Sequence, residues 1–268
     1  MKVNQKEKRS AIEKTLEILI AFADSDRELG TVEISELTYL HRATVSRILS
    51  TLLDYGMIYQ NNETKKYNLG PLSYRLGASE ISQKIESFVS LSKTHVDNLR
   101  DTLSETISLE LWMGNKTTAC YMAESRRPLQ VAMPLGNVLP LHAPAGAKAV
   151  LSFVNQDYLD RLLTEDFPQY TDNTITTKTK LLARLSEFNR QGYSIDDQEL
   201  HMGIYAIGVP IFDYISKPVA AISAILPSAR INAGREAEIV AQLKRTSHII
   251  SQKIKRDRTG FYYHLGAI

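Results

Sequence analysis

An α+β fold in two parts follows from three features of the sequence. The segment Val32 to Asn68 holds two short amphipathic helical stretches, then two alternating stretches around a polar turn. The chain is 268 residues long with 43% hydrophobic residues, an ordinary globular content that suggests two domains or one large one. Beyond the first third, strands in hairpins are followed by helices and then by further hairpins, the order of a largely antiparallel sheet with helices packed on it. No internal repeat or low-complexity segment interrupts this plan.

Each element has a local reason. Ser10 to Ala23 reads as a helix, because Ser10 is a good N-cap and Glu13 completes a capping box. Ile12, Leu16, Leu19 and Ile20 are its expected apolar face. Gly30 and Thr31 punctuate the next start. Ile34, Leu37 and Leu40 make the seam of one short helix, and Val45, Ile48, Leu49, Leu52 and Leu53 make the seam of a second. Asp54-Tyr55-Gly56 ends that helix, with glycine where a left-handed residue is usual. Met57–Gln60 and Lys66–Leu69 alternate like strands around the polar turn Asn61–Lys65. Two crossing helices followed by a hairpin define a winged helix-turn-helix over residues 1–70. Its second helix has a polar first turn, the part that enters a DNA major groove.

Residues 71–87 read as a linking helix. Leu72, Leu76, Ile81 and Ile85 give it an apolar side that needs a partner, such as a second subunit. Residues 88–256 form the second domain. Phe88–Leu103 is an amphipathic helix, and Thr106–Trp112, Thr117–Ala123 and Leu129–Met133 read as strands. Helices are expected at Ala145–Phe153, Gln156–Leu163 and Lys178–Gln191. Strands return at Tyr193–Asp197, Ala206–Phe212 and Val219–Leu226, and Arg235–Lys255 closes the domain as a long helix. Residues 257–268 read as a tail.

Composition excludes several classes. No apolar run approaches the roughly 18 residues of a membrane span. The first residues are charged and lack a following apolar stretch, so they are not a secretory signal. A single cysteine, Cys120, forbids an internal disulfide framework and fits a reducing cytoplasm. The six histidines, His41, His95, His142, His201, His248 and His264, are scattered without ligand spacing, so no metal or other cofactor is expected. Phosphate-binding glycine loops and the G-x-S-x-G elbow are absent.

Charge is a subtler guide. Residues 1–70 hold ten Lys or Arg and ten Asp or Glu, so attraction to DNA must come from asymmetry rather than from the total. The asymmetry is present. Arg42 and Arg47 lie on the second helix, Lys65 and Lys66 on the hairpin, and Lys6, Lys8 and Arg9 on the leading segment. The acids Glu13, Glu17, Asp24, Asp26, Glu33 and Glu36 lie on the other helices. Double-stranded DNA is therefore the expected partner. Arg42, Ala43, Thr44, Ser46 and Arg47 are the expected reading face, and Lys65 and Lys66 the phosphate contacts. Solvated helix charge is the competing explanation for Arg42 and Arg47. A phosphate or acidic partner competes with base reading for Arg47.

Three stretches carry a resemblance to a known family. They are LHRATVSRILSTLLDYGMI, LPLHAPAGAKAVLSF and GYSIDDQELHMGIYAIGVPIFDYISKPVAAISAILP. In order and spacing they resemble the IclR family of bacterial regulators over roughly Ser10 to Ile254. The second stretch is close to the family's Leu-His-x-x-Ala-x-Gly-Lys-Ala signature, except that Ala147 falls between Gly146 and Lys148. The resemblance implies a GAF-like effector-binding domain and homodimers or dimers of dimers. It also implies a small-molecule effector bound near His142, Ala145 and Gly146. The family's further pocket positions fall on Asp196, Ala206, Ser223 and Ile225. Only Asp196 and Ser223 keep polar character there, which argues against a compact carboxylate such as glyoxylate. A larger or more apolar ligand is expected, such as a sugar acid or an aromatic acid.

The loop before Ala145 opens a helix whose first amides favour an anion, and Gly146 permits close approach. A plain structural turn explains the same residues. His142 fits an ordinary buried histidine as well as a ligand contact, and Trp112, Met113 and Met133 fit ordinary core. Two other functions compete with regulation. One is a winged-helix module that binds protein. The other is a small-molecule hydrolase using His142 and a carboxylate.

Overall fold

The structure, a computed structural model, describes residues 9–256 except 26, 79 and 137. They fall into two compact units divided between Gln83 and Lys84. Lys6, Lys8, Asp26 and the tail 257–268 lie outside the described residues.

The first unit begins with α1 (Ala11–Ala23). Ser10 Oγ accepts the Glu13 amide at 3.2 Å, and the Glu13 carboxylate accepts the Ser10 amide at 2.6 Å, the reciprocal cap expected from the sequence. The expected apolar face is wrong in part. Ile18 and Phe22 are buried, while Ile12, Leu16 and Ile20 are 73%, 53% and 57% exposed. The helix has two apolar stripes, and only one meets the core of α2 (Thr31–Thr38) and α3 (Arg42–Asp54). Leu37 is likewise outside, 58% exposed. Thr38 takes the inward place and satisfies its hydroxyl by donating to the Ile34 carbonyl at 2.7 Å.

Helix α3 buries Val45, Ile48, Leu49 and Leu52 and ends at Gly56, whose φ of 69° is the left-handed stop. The wing is an antiparallel pair, β1 (Ile58–Gln60) with β2 (Tyr67–Leu69), in the register Ile58 opposite Leu69. Glu28 clamps its turn, accepting from Asn61 Nδ2 at 2.8 Å and Thr64 Oγ1 at 2.7 Å.

The linking helix differs from the expected one. It is split into α4 (Pro71–Gly77) and α5 (Glu80–Leu103). Gly77 is a poor helix former and marks the stop. Nothing interrupts the chain between Glu86 and Phe88, so Ile85, Phe88, Val96, Leu99 and Leu103 make one apolar series along a single helix that crosses the division between the units.

The second unit is a six-stranded antiparallel sheet in the order β5-β4-β3-β8-β7-β6. Its strands are β3 (Thr106–Trp112), β4 (Thr117–Ala123), β5 (Val138–Leu139), β6 (Ser194–Asp197), β7 (Ile204–Phe212) and β8 (Pro218–Pro227). Strand alternation sorts the side chains between the two faces. Ile107, Leu109, Leu111, Ile207, Ile222 and Ala224 meet α5 and α9 (Ala233–Arg256) on one face. The opposite face carries Trp112 and Ala221 against α6 (Ala145–Leu151), α7 (Gln156–Leu162) and α8 (Lys178–Gln191).

The expected strand at Leu129–Met133 is not a strand. Its carbonyls bond elsewhere. Arg230 donates to the Leu129 carbonyl at 2.7 Å and Thr106 Oγ1 to the Val131 carbonyl at 2.8 Å. The edge of β4 pairs instead with β5, Thr117 opposite Leu139.

Candidate DNA-reading face and effector cavity

The first candidate site is the leading turn of α3. Arg42, Ala43, Ser46 and Arg47 are exposed and Thr44 is half-buried, while Val45 and Ile48 anchor the opposite side of the helix. The same seam that buries the helix therefore turns this polar set outward. Lys65 is exposed on the wing turn. Lys66 is less free than its charge suggests, for its ammonium sits 3.3 Å from Glu33 Oε2. The Glu33 carboxyl is held down at about 2, first by the Gly30 amide and then by Arg27 and Lys66.

The second candidate site is a cavity of about 320 Å³ between α6 and the sheet. Of the seven effector positions expected from the sequence, Ala145, Gly146, Asp196, Ala206, Ser223 and Ile225 line it. Val131, Met133, Leu139, Ile204 and the exposed His201 extend the wall. His142 is not among the lining residues. Its ring is stacked between Phe167, 4.8 Å away, and Tyr170, 5.5 Å away. Its Nε2–H is donated to the Pro168 carbonyl at 2.9 Å, and burial lowers its pKa, so it is a neutral structural histidine. Among the described residues the hydrogen bond of its ring runs to this carbonyl and not to a carboxylate.

The cavity also holds a residue the sequence reasoning missed. Glu110 is only 2% exposed and lines the wall. The alternation of TISLELW places Ser108, Glu110 and Trp112 on one face, which looks like a solvent face until α6 is known to cover it. Gly146 is what makes room. A Cβ at that position would lie 1.7 Å from Glu110 Oε2 and 2.4 Å from its Cδ. Glu110's own carboxyl thus occupies the space beside the start of α6, and Gly146 accommodates that side chain before it accommodates any ligand.

Burial pushes the Glu110 carboxyl up to about 7, and the neighbouring Asp196 adds to the rise, while the hydroxyls of Ser223 and Ser108 work against it. Asp196 is also raised by burial, against the opposing pull of Lys148 and of the Glu199 and Leu200 amides. Its Oδ1 accepts those amides at 2.7 and 3.4 Å. Behind the cavity, the fully buried Lys148 ammonium lies 2.5 Å from Glu199 Oε1. Burial drives the two partners of this pair toward neutrality, and their mutual attraction opposes that.

A stability signature follows for Glu110. Its ordinary value is 4.5 and its folded value about 7, so between these the folded state holds more protons than the unfolded chain. Stability therefore falls as pH rises through that window, and the penalty is complete above it. The size is of order 3 kcal/mol at pH 8. Glu110→Gln removes the ionisation. Urea titrations are expected to show the variant more stable than wild type at pH 8, with the gap shrinking toward pH 5. A gap independent of pH would show that Glu110 does not titrate in this window.

Among the described residues no group of His, Cys, Asp or Glu is arranged to hold a metal ion. Nor is any helix among them long and apolar enough to cross a membrane.

An exposed reading helix with a wing, followed by a separate unit built around a small-molecule cavity, defines a ligand-responsive DNA-binding regulator. A family model described as the IclR helix-turn-helix domain matches residues 11–62, and one described as the bacterial transcriptional regulator IclR C-terminal domain matches residues 84–252. The chain belongs to the IclR family of transcriptional regulators. It is 28% identical over 246 residues to the transcriptional regulator KdgR of Escherichia coli, covering 91% of this chain and 92% of that protein. It is 25% identical over 236 residues to the repressor IclR of the same organism, covering 87% and 85%. The fold is shared with the crystal structure of Thermotoga maritima IclR, at a TM-score of 0.70 and 24% identity over 91% of this chain and 98% of that one. It is shared equally with a Microbacterium hydrocarbonoxydans homologue solved with 4-hydroxybenzoate, at 0.70 and 18% over 91% and 99%.

Proposed function

We propose that this chain is a cytoplasmic, dimeric regulator of a catabolic operon. In this reading its operator affinity is set by a small organic acid, a sugar acid or an aromatic acid, held in the C-terminal cavity. The observation that carries the reading is the outward polar turn of α3, where Arg42, Ala43, Ser46 and Arg47 stand exposed beside a wing. Arginine offers two donors to a guanine edge, worth about 1–3 kcal/mol of discrimination. The cavity supports the sensing half of the proposal, since a mostly apolar wall with a few polar groups is how small molecules are selected. The exposed stripe of Ile12, Leu16 and Ile20 on α1 supports pairing with a second copy, because contiguous apolar surface of this kind needs cover. Continuity of α5 across the two units supports coupling, which requires only that the effector prefer one arrangement of the dimer.

Gel-shift titrations on the chain's own promoter region, with specific and scrambled duplexes at several salt concentrations, test the DNA half. Arg42→Ala is expected to weaken operator binding by about 1–3 kcal/mol and to blunt the preference for the specific duplex. Lys65→Ala is expected to weaken both duplexes alike and to flatten the salt dependence. Unchanged affinity for Arg42→Ala removes it from the reading face. A metabolite screen by thermal shift, repeated with Ser223→Ala, tests the sensing half. A full wild-type response in that variant places the effector elsewhere. A duplex-independent interaction without salt dependence would favour a protein-binding module.

A further inference from the structure

The cavity wall contains a buried carboxyl with a serine hydroxyl beside it. Glu110 Oε2 and Ser223 Oγ are both buried and make no hydrogen bond of good geometry among the described residues, although the Ser223 and Ser108 hydroxyls lie close enough to Glu110 to hold its carboxyl down. They belong to one surface patch. In the pairing of β3 with β8, Ser108 stands opposite Ser223 and Glu110 opposite Ala221, so Glu110 and Ser223 are diagonal neighbours on the face toward α6. A buried carboxyl without a cation beside it is expensive, and a native fold that keeps one commonly uses it.

The charge of the wall is one-sided. The lining includes two carboxyls, Glu110 and Asp196, and no lysine or arginine; its one basic member is the exposed His201. Lys148, the nearby cation, is bonded to Glu199 and is not part of the lining. A ligand carboxylate placed at the inner end would meet two acids with no cation to offset them. A ligand group that donates a hydrogen bond would instead give the lining carboxyl a partner. Resting on the regulator reading above, we propose that Glu110 is the specificity-determining residue of the effector cavity, and that its carboxyl, flanked by the Ser223 hydroxyl, takes a hydroxyl or ammonium group of the effector. An organic acid then binds with its donor group inward and its carboxylate toward the mouth. The remaining wall, Val131, Met133, Leu139, Ile204, Ala206 and Ile225, takes the carbon frame.

Three probes of one size separate the possibilities: benzyl alcohol, benzylamine and benzoate. Binding to the full-length protein is read by the fluorescence of Trp112, the chain's single tryptophan, two residues from Glu110 on the same sheet face, and by calorimetry. Benzyl alcohol and benzylamine are expected to bind at least about tenfold more tightly than benzoate. Glu110→Gln keeps an acceptor and loses the charge, so it is expected to retain benzyl alcohol and lose the advantage of benzylamine. Glu110→Ala is expected to erase the preference for both donors. Benzoate binding as tightly as the donors, no binding by either donor, or a preference that survives Glu110→Ala would each overturn the assignment. Gel shifts on the promoter fragment keep this outcome apart from the regulator reading. Intact, effector-sensitive promoter binding without donor preference sinks the Glu110 assignment alone. Donor preference without promoter binding sinks the regulator reading alone.

Discussion

Lys148→Ala is expected to cost the C-terminal unit about 3–5 kcal/mol of folding stability, enough to unfold a marginal domain. The lysine side chain is 0% exposed, and its ammonium lies 2.5 Å from Glu199 Oε1 with Asp196 nearby. Removing the cation leaves two buried acids to be protonated or hydrated at the centre of the unit. The pair is not itself a large source of stability, because desolvation consumes most of the attraction. Lys148→Met combined with Glu199→Leu is therefore expected to recover most of the loss. Urea denaturation followed by far-ultraviolet circular dichroism measures both. A single substitution costing under about 1 kcal/mol would mean that the ion pair is open to water. The lysine also holds the β6 end of the cavity in place. Asp196 accepts the Glu199 amide at 2.7 Å, so a loosened Glu199 carries a cavity residue with it.

Gly146→Ala is expected to abolish the ligand response while leaving promoter binding intact. The new methyl group would stand 1.7 Å from Glu110 Oε2. The carboxyl has to swing into the cavity, filling it, at a cost of about 1–3 kcal/mol for overpacking. The same change made in a Glu110→Ala background meets no obstacle. The two substitutions are thus expected to couple strongly in a double-mutant cycle, with the pair more stable than the sum of the singles predicts. Additive effects, or a response retained in Gly146→Ala, would show that the glycine serves the ligand or the loop and not Glu110. Calorimetric melting gives the coupling, and gel shifts with and without the effector give the response.

Much of the first unit was legible from local rules. The Ser10 cap, the Gly56 stop, the wing and the exposed turn at Arg42 each depend on residues within a few positions of one another. Sequence failed there at Leu37, at the break after Gly77 and where two apolar stripes competed. On α1 either Ile12, Leu16 and Ile20 or Ile18 and Phe22 can face inward by period alone, and the choice belongs to α2 and α3. In the second unit the alternating strands and the closing helix were readable, and six of the seven expected effector positions do meet around one cavity. The strand expected at Leu129–Met133 was real alternation without a partner. Val131 and Met133 face the cavity, but Thr106 and Arg230 take the carbonyls that a ladder would have used.

By itself the sequence determined the order of elements, the polar edge of the reading helix and the family, because periodicity, caps and motif spacing are written in neighbouring residues. Only the tertiary structure decided what Glu110, Gly146, His142 and Lys148 do. Glu110 reads as a solvent-face acid on an alternating strand, Gly146 as a ligand contact and His142 as a pocket group. Packing α6 onto the sheet reverses the readings of Glu110 and His142 and gives Gly146, which still lines the cavity, a second neighbour. It dries the face that carries Glu110, sets that carboxyl against Gly146 and leaves His142 between two aromatic rings. Burial changes a charge's energy more than any neighbour in sequence can, and burial is a property of the assembled layers.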